Sequence, residues 1–201
     1  AEHLAAGLNA GLSPVIRGVG AIGAADLMWG GDFGLALIGE GRMWRAGVVL
    51  AATDALAGAG LAPFIPAPRE GLALVSHSSP SAAIAALGVG ALSSLYDSAD
   101  TATALTLEGF RANLSAFDLD LLALRPQAGQ VEASIRIMRL LKGSPLQKEG
   151  TARRLQDPLS NRNIPQVHGA FLAALKGAEE AVAAEINGAS DNPGVLIDRG
   201  E

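Results

Sequence analysis

The 201-residue chain is 49% apolar, enough to bury the core of one large domain or two small ones, which excludes a disordered tail. A net charge of −5 excludes a nucleic-acid surface, because phosphate binding needs clustered Lys and Arg, and the lack of cysteine excludes disulfide and thiolate chemistry. Charged residues make up 17%, against about 25% in an average domain, so broad helix faces of Ala, Gly and Leu are expected to be buried against other copies of the chain.

The opening stretch, AEHLAAGLNAGLSPV, has acidic Glu2 and no basic region ahead of its apolar run, so it does not read as a secretory signal. Apolar segments are interrupted by Ser, His, Gly or charge before the roughly 18 residues of a membrane span, so no membrane partner is expected and the protein reads as cytoplasmic. Residues 4–12 form an Ala-rich helical stub stopped by Ser13-Pro14, and a second helix over 26–38 stops at Gly39. The short run RMWRAGVVL at 42–50 is the one extended candidate, followed by a helix over 51–59 that stops at Gly60. Three prolines make LAPFIPAPREG a rigid linker.

Ser79-Pro80, with Ser as N-cap and Pro at the first helical position, opens the longest helix, running to about Leu114. Its interior Gly88 and Gly90 each cost about 1 kcal/mol, a cost that close approach of another helix would offset. A helix over 129–142 ends at Gly143, and another runs over 165–187. Between them SPLQKEGTARRLQDPLSNRN is a long polar loop, a kind of segment that more often carries function than not. The fold class is therefore all-α, a long-helix bundle with at most a short hairpin.

Gly18, Gly20 and Gly23, with Glu40 downstream, spell the dinucleotide-binding fingerprint. That motif needs a preceding buried strand and a following βαβ unit, and neither is present, so a Gly-rich turn against packed helices is the better reading. The three histidines, His3, His77 and His168, are dispersed and lack metal-ligand spacing.

Four stretches carry a family resemblance: LNAGLSPVIRGVGAIGAADL, LIGEG with AGLAPFIPAPREGLALVSHSS, GQVEASIRIMRLLKGS, and LQDPLSNRNIPQVHGA with EINGASDNPGVL. Together they resemble the aromatic amino-acid lyases, the histidine and phenylalanine ammonia-lyase family. Members are more than twice as long, so residues 1–201 resemble a single fragment of the central helical domain. The resemblance implies a fumarase/aspartase-like helix bundle, a homotetramer, and removal of ammonia from a small amino acid or carboxylate. It also implies a methylidene-imidazolone electrophile, which the family makes from its own Ala-Ser-Gly backbone.

Here that triplet falls on Gly23-Ala24-Ala25-Asp26, and no serine occurs between Ser13 and Ser76. Anchored upstream, Ala25 takes the serine position; anchored downstream on LIGEG, Asp26 matches the Asp that follows the triplet. In either register no hydroxyl is available for elimination. Ala24 and Ala25 mark a degenerate electrophile position, and no cofactor is expected.

The family's Asn-Gly-Thr-Gln segment reads Ser76-His77-Ser78-Ser79, and Leu159 stands at its Tyr. Gln156 and Arg162 are kept, which implies a guanidinium clamp for a substrate carboxylate, with Gln156 supporting the reacting groups. His77 is either a replacement general base or a satisfied structural imidazole, and Asp26 either serves the emptied pocket or stabilises a helix start. Asp26, His77 and Gln156 are thus the catalytic candidates, and Arg162 and Ser76 the substrate-binding ones. His168, Asn187, Asp191 and Asn192 read as scaffolding. Two functions remain open: a lyase without the family electrophile, and a non-catalytic ligand-binding or assembly relative.

Overall fold

A computed structural model describes residues 1–190 and 194 of the chain. Two compact units make it up, Ala1–Ile84 with Glu185–Glu201, and Ala85–Ala184. The predicted Asp191 and Asn192 turn lies outside the described residues.

The first unit opens with α1 (Glu2–Asn9), which starts two residues before the predicted stub and ends three before it does. Gly11 at φ +69° turns the chain out of the helix and releases Leu12 into a strand, β1 (Leu12–Pro14). The predicted extended run becomes β2 (Arg42–Arg45) and β3 (Val48–Ala51), joined by Ala46-Gly47, both at positive φ as a tight primed turn requires. The sheet is antiparallel in the order β1-β2-β3, with Ser13 opposite Trp44 and Met43 opposite Leu50. Helices α2 (Leu27–Leu37), α3 (Ala52–Gly58) and α4 (Glu70–Val75) complete the unit. Leu12, Leu37, Met43, Ala55 and Leu56 form its core, with Phe33 and Leu74 packed against them. Helix α4 corrects the reading of 61–71 as linker alone: Glu70, in its first turn, accepts from the Ala67 N–H at 2.6 Å.

Helix α5 (Ser79–Phe110) runs 32 residues, about 48 Å, and stops short of the predicted Leu114 where Arg111 takes φ +56°. After a short 3₁₀ turn and α6 (Leu119–Ala123) come α7 (Gln130–Leu140), α8 (Leu159–Arg162) and α9 (Ile164–Asn187). The core of the second unit gathers Ala104, Leu107, Phe117, Ile137, Leu141 and Ile164. Gly129 and Gly169 touch backbone to backbone, leaving no room for a Cβ on either. The long polar loop is tied back to the end of α5: Arg111 donates to the Thr151 carbonyl at 2.9 Å, and Arg153 and Arg154 stack on the Phe110 ring.

A Cβ on Gly88 or Gly90 would meet nothing within 4 Å among the described residues. One expectation changes. The helical stretch Glu70–Phe110 is long and apolar enough, by length and composition, to cross a membrane, with a mean hydropathy of 1.4 over its best window. The interruptions seen in the sequence are too mild to lower that mean. Toward its C-terminal half α5 buries Tyr96, Asp100, Ala104 and Leu107, with Asp100 paired with Arg136 and His168.

Candidate active site

The segment between β1 and α2 carries Gly23-Ala24-Ala25-Asp26, where a degenerate electrophile triplet is expected. Arg17 anchors its start, donating to the Asp32 carboxylate from N, Nε and Nη2 at 3.1, 2.7 and 2.6 Å. Those side-chain bonds hold the Asp32 carboxyl below the ordinary carboxylate range and raise Arg17. Gly20 lies flat on the Trp29 indole with no space for a side chain. Gly23 at φ +85° and Ala25 at φ +66° then bend the chain into Asp26, with Ala24 exposed.

Asp26 is 3% exposed at the N-cap of α2, yet its carboxylate serves another helix. Oδ2 accepts from the Ser81 N–H at 2.7 Å and Oδ1 from the Ser81 hydroxyl at 2.9 Å, satisfying a free donor in the first turn of α5. Its own N–H donates to the His77 carbonyl at 2.8 Å. The His77 ring bridges the α4–α5 corner: Nε2 lies 2.9 Å from the Leu74 carbonyl, and Nδ1 accepts from the Ser79 N–H at 3.1 Å. With Nδ1 accepting, the Nε2 N–H is the donor to the Leu74 carbonyl. Ser76, the C-cap of α4, shares with His77 and Ser79 the wall of an apolar cavity of about 630 Å³, facing Leu4, Ile16 and Phe33.

Gln156 and Arg162 belong to the second unit. Gln156 is exposed and makes no hydrogen bond to the described residues, and Arg162 donates Nε to the Asp157 carbonyl at 2.8 Å. Asn113, Ser115, Asp157, Arg162 and Gln166 line one side of a cavity of about 340 Å³ whose other wall is apolar, from Leu121, Leu122 and Leu155. Leu159 starts α8 with its side chain exposed. So the structure joins Ala24, Ala25, Asp26, Ser76 and His77 within one unit, and Gln156 with Arg162 within the other.

Sequence reasoning missed Arg17, Asp32, Ser81 and Asp157, as well as a buried charge cluster. In that cluster Asp100 accepts from Arg136 Nε at 2.6 Å and lies 3.0 Å from His168 Nδ1, while Arg136 also reaches Asp97 at 2.5 Å. Burial, and then the Asp100 charge, push the neighbouring Tyr96 hydroxyl up to about 12. The available signals were local: Asp97 and Asp100 sit one turn apart on a helix, and Asp157 lies inside the QDP motif. Among the described residues no three His, Asp or Glu side chains gather to hold a metal.

The family model for aromatic amino acid lyases matches residues 1–201. The chain belongs to the aromatic amino acid lyase family. It is 38% identical over 202 residues to the histidine ammonia-lyase of Paracidovorax citrulli, covering 100% of this chain and 40% of that relative. In three dimensions it is similar to the ergothioneine-degrading ergothionase of Treponema denticola, solved with desmethyl-ergothioneine sulfonic acid, with a TM-score of 0.91, 31% identity, and 99% and 40% of the two chains covered. Histidine ammonia-lyase from Trypanosoma cruzi superposes with a TM-score of 0.86 at 29% identity, over 98% of this chain and 36% of that one. The fold is that of the ammonia-lyases, a helix bundle carrying a small sheet, and the chain spans about two fifths of the length of these relatives.

Proposed function

We propose that this chain is the central segment of an ammonia-lyase-like enzyme that eliminates from a small amino acid or carboxylate without the self-made methylidene-imidazolone. The observation that carries the reading is the side chain at the electrophile position. Ala25 holds a left-handed backbone, the conformation glycine favours, which supports the register with Ala25 at the triplet's glycine and Ala24 at its serine. A methyl group at Ala24 has no oxygen to lose, so these residues do not fit the family's cofactor.

In this reading Arg162 clamps the substrate carboxylate with the Nη atoms its Nε contact leaves free, and Gln156 supports the reacting groups. Asp26 and His77 stand beside the emptied position and take the proton transfers; His77 does so by giving up the Ser79 N–H, which frees the Nδ1 lone pair. Exposed Ile84, Leu87 and Leu95 along α5 supply the apolar face for assembly with further copies into a tetramer. A cytoplasmic location accords with the lack of cysteine.

One observation favours the second reading, a non-catalytic ligand-binding or assembly relative. Both His77 ring nitrogens and both Asp26 carboxylate oxygens already hold protein partners. Incubation of the protein with L-histidine, L-phenylalanine, L-tyrosine and ergothioneine, with ultraviolet detection of unsaturated acids, separates the two. Product formed by protein of unmodified mass supports the enzyme; binding without product supports the relative.

A further inference from the structure

Helix α9 ends on a self-reactive dipeptide. Asn187 is the last residue of α9 and Gly188 the first beyond it, and both are exposed. The main-chain nitrogen that follows an asparagine can close a five-membered ring on the side-chain amide carbon. A Cβ on the following residue crowds that approach, and glycine has none. Asn187 is the only asparagine of the sequence that glycine follows: Asn9, Asn113, Asn161 and Asn163 precede Ala, Leu, Arg and Ile, and Asn192 precedes Pro, which has no N–H. The fold opposes ring closure only weakly. In a helix the side chain tilts toward the N-terminus, away from the next nitrogen, so Asn187 must first leave the helical conformation. It holds the terminal position, where opening is least costly. The Gly188 N–H donates to the Glu185 carbonyl at 3.3 Å, longer than such bonds usually run.

We propose that Asn187-Gly188 is a self-modification site. The Gly188 nitrogen gives its proton to water and attacks Asn187 Cγ. The N–Cγ bond forms, the Cγ–Nδ2 bond breaks, and Nδ2 takes up a proton and leaves as ammonia. Water then opens the cyclic imide at either carbonyl, giving aspartate or isoaspartate at position 187. Both products bring a carboxylate to the negative end of the α9 dipole, two positions from Glu185, and isoaspartate also lengthens the main chain by one carbon. Each chain thereby releases one equivalent of ammonia with no substrate present, a background that an ammonia assay of lyase activity would register.

Incubation of the whole chain in mildly alkaline buffer, beside a synthetic peptide of residues 177–198, tests it by peptide mapping and by labelling with an isoaspartyl methyltransferase. Position 187 is expected to gain about one dalton and an isoaspartyl label, at a rate within about 30-fold of the peptide's. Gly188→Ala is expected to slow the conversion at least about 10-fold, in the chain and in the peptide alike. The peptide pair keeps that comparison available whatever the substitution does to the fold. Conversion of the chain slower than that window, aspartate formed without any isoaspartate, or a smaller effect of Gly188→Ala overturns the site.

Discussion

Replacing Ala25 by glycine should stabilise the first unit, the reverse of what an Ala→Gly change usually does. Ala25 sits at φ +66°, where a Cβ crowds the following carbonyl and costs about 1–2 kcal/mol. Glycine removes that strain but gains backbone freedom in the unfolded chain, which costs about 0.5–1 kcal/mol. The balance is a net stabilisation of about 0.5–1 kcal/mol. With a urea dependence of about 2 kcal/mol per molar, the midpoint should rise by roughly 0.3–0.5 M. Both tryptophans, Trp29 and Trp44, lie in the first unit, so their fluorescence follows its unfolding. Ala24→Gly is the control, since Ala24 has no positive φ, and it should lower the midpoint. A midpoint for Ala25→Gly at or below that of Ala24→Gly would refute the left-handed backbone at Ala25, and with it the support for placing Ala24 at the serine.

Three further outcomes follow from the same contacts. Asp26→Ala strands the Ser81 N–H and hydroxyl at the head of α5 and should cost about 2–4 kcal/mol in a urea melt, Asp26→Asn about half as much, since one acceptor remains. The Asp32 carboxyl is lowered from 3.8 by Arg17, so its stabilising contribution is complete above pH 3.8 and fades as pH falls through the lower folded value. Asp32→Asn should therefore lose stability at pH 6 and show a flatter acid limb than the native chain in pH-dependent melts, a small effect because Arg17 is 52% exposed. Gly169→Ala drives a methyl group into the Gly129-Gln130 backbone, and about 1–3 kcal/mol of lost stability by circular dichroism melting is expected.

Local chemistry made the helices legible. Gly39, Gly60 and Gly143, read as helix stops, all hold positive φ, and the Ser79-Pro80 start and the span of α9 fall within a residue of expectation. Strand β1 was not legible, because three residues show no period and their pairing partner lies thirty positions away in β2. At the site, residue identities could be read but their commitments could not. The ring of His77 bonds to Leu74 and Ser79, three and two positions away, which requires knowing that α4 and α5 meet in a tight corner. Asp26 reads as a cap for its own helix, whereas its carboxylate caps α5, a contact 55 positions distant that no local pattern encodes. The orphaned oxygen of Asp157 and the Asp100 cluster are likewise products of packing, visible only once α5, α7 and the 155–162 segment are in place.

In the proposed reading Ala24, at the position that the family resemblance assigns to the electrophile, has no hydroxyl to lose. Intact mass spectrometry of the purified protein, read together with its ultraviolet spectrum, addresses that directly. The mass is expected to equal that of the unmodified sequence, with no added near-ultraviolet band. A deficit of two water molecules localised by peptide mapping to residues 23–26 would contradict it.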